Sequence, residues 1–586
     1  MLPITSPHPI RLAALVLAIL ALSQPCSAQV ATTIYTGGDI LTMRGNVPEY
    51  VECLVVKDGK ILFVGPTADA QKYVGRSTNT VDLAGTTLLP GFIDTHGHMV
   101  SFGKNLLDAN LFGVKDIPDL IERMKKQAKR TPANGWIVGF GYQSRGMKEG
   151  RSPTIEELDA ISTDRPVLIV DSSGHLGAGN SAVFKVVGIS ASTPDPQGGS
   201  FARKANGTSL LGPMEETALN AVRGTRPPFT GQLADDAITG AAKVWASYGH
   251  TTAQEAGLGL GNDDIGIVVN AIDKQLLPID LYIAAKDSNV DDTVAAAYTV
   301  ASQYNPSPDG TRSKLLADRP DLDKRYVNRV RLGGIKFWLD GSIDTAWFTQ
   351  PYSTNPSGKT GAYSGYRQIP DEVLDAAFDK YWPTNLQIHM HMNGDAAADQ
   401  ALAAIAKAVK KHGMLDHRPV FIHASYLRPE QIEKIKAYGA VPSFLTASVV
   451  SGGDGVLKLW GKDRAAVALP ARTFLRMGLP FTFSHDAPVS PVPSILALVD
   501  AGVNRTAGSG AVVGPDERVP PYAALRAVTA MAAYQIKEEQ TKGTLEAGKL
   551  ADLVILEKNP LKVDSVTIKN IQVMQTIKEG KPVYSR

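Results

Sequence analysis

Between about residues 89 and 537, short apolar runs alternate with amphipathic helical stretches, and this limits the chain to a parallel α/β architecture. Trp136–Phe140, Pro166–Val170, Leu281–Ala284, Val330–Phe337, Gln387–His391, Val420–His423 and Pro480–Phe483 read as buried strands. Asp116–Lys129, Ala234–Gly249, Pro370–Trp382, Asp395–His412 and Arg428–Tyr438 carry helical periodicity. Such repetition predicts a (β/α)8 TIM-like barrel, although the pattern by itself also fits an open sheet. Residues 142–220 are too long and too rich in Gly, Ser and Pro for a simple connection. They predict an insertion with strands of its own over the barrel mouth. Asn305–Asp321 reads as a surface loop.

The two ends differ from the middle. Residues 29–88 show short strands and turns, including a hairpin signal at Asp58-Gly59 between two β-runs. Residues 538–586 repeat that character around Asp552–Leu556 and Ile571–Ile577. Together they predict a small β-sandwich domain built from both termini. Residues 1–28 read as a cleaved signal peptide: Arg11 precedes an apolar core from Leu12 to Leu22, and Cys26-Ser27-Ala28 offers a small-x-small cleavage site. The expectation is an exported, periplasmic or secreted protein with no stable membrane insertion after cleavage. Cleavage would leave Cys53 as the one cysteine, which excludes an internal disulfide and fits a small core residue. A formal net charge of +2 gives no electrostatic footprint for nucleic acid, so the expected partner is a small-molecule substrate. Whether the chain forms a homo-oligomer is left open.

Barrels place chemistry where strands end, which directs attention to the polar residues closing each run. Pro90-Gly91-Phe92-Ile93-Asp94-Thr95-His96-Gly97-His98 ends in two histidines that share a face if the segment is extended. Paired imidazoles suit a divalent cation, but the spacing is weak evidence alone. Lys336 lies among apolar neighbours, His391 and His423 close two further runs, and Asp486 follows another. Each has a plainer reading: a lysine reaching water or a carboxylate, a hydrogen-bonded core histidine, a helix-capping aspartate. His389 shares a face with His391 one pleat earlier and is its rival as a ligand. His485 alternates away from Asp486 and reads as a packed supporting residue.

In this order the residues resemble the metal-dependent amidohydrolase superfamily, most nearly the branch of N-substituted formamide deformylases (amidohydrolase family 3). The matching stretches are PGFIDTHGHM at 90–99, GGIKFWLDGS at 333–342, HMNGD at 391–395, FIHA at 421–424, SHDAPV at 484–489 and GTLEAGKLADLVIL at 543–556. The resemblance implies one or two divalent metal ions, zinc before others. His96 and His98 would hold the first, a carboxylated Lys336 would bridge to a second held by His391 and His423, and Asp486 would touch the first and carry protons. It implies hydrolysis of a non-peptide C–N bond by attack of a metal-bound hydroxide. His175, after the run Val167–Val170, would contact the substrate and serve catalysis, and Gln143 and Arg145 are weaker candidates for pocket lining. The sequence departs from the branch at His485, where glycine-serine precedes the aspartate more often, and in the bulk of Phe337-Trp338-Leu339. A deaminase or cyclic-amide hydrolase would use the same ligands. A non-catalytic exported binding protein on the same fold is the reading from another class.

Overall fold

The computed structural model describes residues 30–196, 199–287, 326–356, 359–384 and 386–586. The expected signal peptide and the expected loop Asn305–Asp321 lie outside the described residues.

The middle of the chain is organised on an eight-stranded sheet. Its strands are Phe92–Ile93, His250–Leu258, Asp280–Lys286, Val330–Trp338, Gln387–Met392, Val420–His423, Val441–Phe444 and Thr482–Phe483, neighbours in that order. Every pairing is parallel. The sheet curls until its first and last strands approach beyond their ends. There Thr95 Oγ1 donates to the Phe483 carbonyl at 2.8 Å, and the Asp486 and His98 N–H groups donate to His96 and Ala487 carbonyls at 3.0 and 2.8 Å. This curled parallel sheet is consistent with a TIM-like barrel. Helices form where periodicity placed them: Ile117–Arg130 is capped by Asp116, whose side chain accepts from the Asp119 N–H, and Asp395–His412 matches its expected bounds.

Two of the expected barrel strands belong elsewhere. Ile137–Tyr142 and Val167–Asp171 lie in a separate six-stranded sheet with Ala109–Asn110, Leu176–Gly179, Gly199–Arg203 and Leu210–Glu216. The physical reason is that both faces of this sheet are covered. Ile137, Val167 and Ile169 enter one apolar cluster, while Val138, Phe140, Leu168 and Val170 enter another. A strand buried on both faces reads the same in any sheet. The separate sheet therefore begins at Ala109, ahead of the expected insertion start at residue 142. The strand His250–Leu258 escapes a pattern reading because Thr251, Thr252, Gln254 and Glu255 are polar yet buried.

The ends of the chain meet. Leu553–Leu556 pairs antiparallel with Thr87–Pro90 inside a six-stranded sheet, which faces a four-stranded sheet formed by Thr33–Thr36, Cys53–Lys57, Lys60–Gly65 and Asn79–Asp82. Tyr35, Leu54 and Val56 from the smaller sheet share a core with Ile40, Leu88, Leu553 and Ile577 from the larger. The Asp58-Gly59 hairpin forms as expected, and Cys53 is buried with a free thiol. Among the described residues no helix is long and apolar enough to cross a membrane.

Candidate metal centre

The C-terminal ends of the parallel strands converge on one cluster. His96 Nε2 lies 3.2 Å and His98 Nε2 3.3 Å from Asp486 Oδ1, and His423 Nε2 lies 3.7 Å from Asp486 Oδ2. The His96 ring centroid is 5.2 Å from those of His98 and His423, and His391 stands 4.6 Å from His423. Backbone geometry at the strand ends turns these groups inward, with His423 at φ 67° and Asp486 at φ 54°. Left-handed conformations at non-glycine residues cost free energy, and two in one cluster mark a functional constraint.

The donor set fits a divalent cation. A tetrahedral site with bonds of about 2.1 Å spaces its donors about 3.4 Å apart, close to the distances above. Asp486 Oδ1 is buried and makes no hydrogen bond of proper geometry, although two imidazole nitrogens face it. His96, His423 and Asp486 can each direct one ligand atom to a common point. Burial works against the Asp486 carboxylate, yet the surrounding histidines hold it well below the usual carboxylate range. Burial, with Lys336 nearby, pushes His96 down to about 3, so this ring is a neutral donor at pH 7. Burial would also lower His98, but Asp486 and Glu255 on either side raise it to about 9.

Lys336 is fully buried on the strand Val330–Trp338, next to the strand bearing His391, and its Nζ has no hydrogen-bond partner. Burial lowers it to about 7, against the pull of Asp486 and Glu255. A substantial fraction of this amine is therefore neutral near pH 7. His391 presents Nδ1 to Asp340 Oδ1 at 3.2 Å, leaving Nε2 for the centre. Its rival His389 lies deeper. There its Nε2 is 3.1 Å from Gln387 Oε1 and 3.4 Å from the Tyr282 hydroxyl, and burial depresses it well below the ordinary range. His485 turns away as expected: its Nδ1 accepts from the Ala487 N–H at 2.9 Å and its Nε2 faces Asp94 Oδ1 at 3.3 Å. Asp94 in turn accepts from Trp245 Nε1 at 2.9 Å and from the His96 N–H at 3.0 Å.

His175 comes from the separate sheet, at the turn before Leu176–Gly179. Its Nδ1–H donates to Glu216 Oε2 at 2.8 Å, and the Glu216 N–H donates to its carbonyl at 2.8 Å. Burial would lower the imidazole, but Glu216 raises it, with smaller contributions from Asp486 and Asp171. Gln143 donates to Ser172 Oγ at 3.2 Å beside that turn, and Arg145 sits in the short turn Ser144–Gly146.

Three further residues went unread in the sequence. Asp340 is fully buried and accepts backbone N–H groups from Asn393, Gly394 and Trp347 while facing His391. It lies inside the GGIKFWLDGS stretch, where its burial was the missing information. Glu255 is buried, accepts from the Val100 N–H at 2.7 Å and stands 3.5 Å from His98 Nδ1. Glu216 is the second of two glutamates at a strand end and carried no signal at all.

A curled parallel α/β sheet with imidazoles and a carboxylate gathered at its C-terminal edge defines the metal-dependent hydrolase class of architecture. The chain belongs to the amidohydrolase family, whose sequence profile matches residues 79–584. It is 27% identical over 565 residues to YtcJ of Bacillus subtilis (strain 168), provisionally named an amidohydrolase, covering 94% of this chain and 99% of that one. It is 23% identical over 548 residues to the N-substituted formamide deformylase of Arthrobacter pascens, covering 91% and 95%. An uncharacterized metal-dependent hydrolase from Pyrococcus horikoshii OT3 shares the fold with a TM-score of 0.70 at 24% identity, over 91% of this chain and 99% of that one.

Proposed function

We propose that this protein is an exported, zinc-dependent hydrolase of a non-peptide C–N bond in a small amide-type substrate. The observation that carries the reading is Asp486 Oδ1, buried without a proper hydrogen bond while His96 and His98 face it at 3.2 and 3.3 Å. A divalent cation held by His96, His98 and Asp486 would acidify water and polarise a carbonyl. The ionised Asp486 carboxylate accepts the proton of the attacking water and returns it to the departing nitrogen. His175, fixed by Glu216 at Nδ1, would present Nε2 to the substrate, and Gln143 and Arg145 are the further candidates for pocket lining.

We further read Lys336 as the site of a carbamate, formed by attack of its neutral Nζ on carbon dioxide with loss of one proton. Its burial and lowered basicity support this, and the two new oxygens would join His391 and His423 in holding a second ion. The fold is read as a closed (β/α)8 barrel, with the two facing sheets of the chain ends as a β-sandwich. Export rests on the leader-like residues 1–28.

The test is metal content by mass spectrometry together with hydrolysis of N-substituted formamides, wild type against Asp486→Asn. Metal-loaded wild type is expected to release formate, and Asp486→Asn to lose at least about 100-fold in kcat. A metal-free wild type, or full activity in Asp486→Asn, overturns the reading. Ammonia release from another substrate class, with formamides untouched, replaces it by a deaminase.

A further inference from the structure

On the strand Val330–Trp338 every residue is buried except the last, Trp338, which keeps part of its surface open at the sheet's C-terminal edge. Two observations place that ring against the metal centre. Its centroid lies 5.1 Å from Lys336 Nζ. On the other side it packs over Gly257, where an added Cβ would lie 3.1 Å from Trp338 Cη2, 3.1 Å from Leu260 Cδ1 and 3.3 Å from His98 Cε1. The indole edge, a leucine methyl and a ligand imidazole thus surround one point above a bare backbone. Leu260 is 49% exposed, so this apolar corner is open to solvent. The strand carrying Gly257 shifts register between Glu255 and Leu258 where it pairs with Asp280–Lys286, so the ladder is irregular at Gly257.

An open indole and an open leucine beside buried charged groups are unexpected in a site that handles only small polar molecules. Exposed apolar surface rimmed by polar groups marks ligand contact. We propose that Trp338 and Leu260, packed over Gly257 beside His98, form an apolar wall that binds a flat, apolar substituent next to the scissile C–N bond. The substrate class is then an amide bearing an aromatic or comparably flat apolar group. This rests on the metal-centre reading above, and deepens it.

Metal-chelating hydroxamates test the wall without knowledge of the true substrate. Acetohydroxamate carries no ring, benzohydroxamate carries one on the acyl side, and N-phenylacetohydroxamate carries one on nitrogen. Their affinities for the zinc-loaded protein are measured by calorimetry. At least one ring-bearing probe is expected to bind about tenfold or more tighter than acetohydroxamate, and which one does so assigns the wall to the acyl or the amine side. Trp338→Ala should cut that advantage, taken as the ratio of the two affinities, to about threefold or less, and Trp338→Phe should keep most of it. Gly257→Ala, whose methyl would displace the indole, should give an intermediate loss with zinc content intact. Equal affinity of all three probes for wild type, or an unchanged ring advantage in Trp338→Ala, overturns the wall and leaves the hydrolase reading standing. Failure of every hydroxamate to bind the zinc-loaded protein overturns both.

Discussion

At the scale of single residues, the centre depends on carboxylates that touch no substrate. Asp340 orders three backbone N–H groups and His391 together, and Glu216 does the same for His175. A carboxylate on Nδ1 sets the tautomer and stabilises the protonated ring. Glu216 raises the His175 imidazole above its ordinary value of 6.5, whereas Asp486 and Asp171 contribute less. Protonated His175 therefore persists to higher pH than a free imidazole and is lost as pH rises through its raised value. Glu216→Gln removes the charge and keeps the shape. The alkaline limb of the kcat profile should then move to lower pH. Glu216→Asp should recover part of the shift. A limb that stays in place in Glu216→Gln, measured with the same formamide, would separate His175 from the pH dependence.

At the scale of elements, register matters more than composition. The strand bearing Lys336 pairs with the strand bearing His391 so that Gly334 stands opposite Gln387 and Lys336 opposite His389. Gly334 is bare because a Cβ there would lie 2.6 Å from the Gln387 carbonyl and 2.8 Å from His389 Cδ2. Gly334→Ala must therefore push the two strands apart, two residues before the lysine. The expected cost is about 1–3 kcal/mol, read from urea unfolding, with a fall in the metal-to-protein ratio. Unchanged metal content would show that the strand spacing does not govern the centre. The clustered side chains were legible for a related reason, since His96, His391, His423 and Asp486 each close an apolar run. Their supporting groups were not, because Asp340 and Glu255 act through burial and backbone contacts that no spacing encodes. The strands at 137–142 and 167–171 were legible as strands but not as members of a second sheet. Their alternating side chains fill two different clusters, and a one-dimensional pattern does not say which.

At the scale of the whole molecule, the two ends of the parallel strands divide labour. The histidine–aspartate cluster gathers at the C-terminal ends, while the N-terminal ends are fastened toward the terminal β-sheets by buried charge. Asp280 opens its strand and receives Lys542 at 2.6 Å and Lys578 at 2.7 Å, and Lys578 also reaches Asp552 at 2.8 Å. All four groups are buried. Burial opposes the Asp280 charge, but the two lysines hold its carboxyl below the ordinary 3.8. Its contribution is therefore complete above pH 3.8 and is lost as pH falls below that value. Removing one partner of a buried pair leaves uncompensated charge, which costs about 3–5 kcal/mol. Here each lysine keeps another carboxylate, Glu538 for Lys542 and Asp552 for Lys578, so Asp280→Asn belongs near the lower figure. Because Asp280 sits at the strand end away from the ligands, the loss should appear in the urea midpoint at pH 7. Metal content and formamide turnover should remain within about twofold of wild type, as for substitutions on the stability face of a barrel. A variant that unfolds normally but loses its metal would mean that this charge network reaches the centre, and that the two ends of the sheet are not independent.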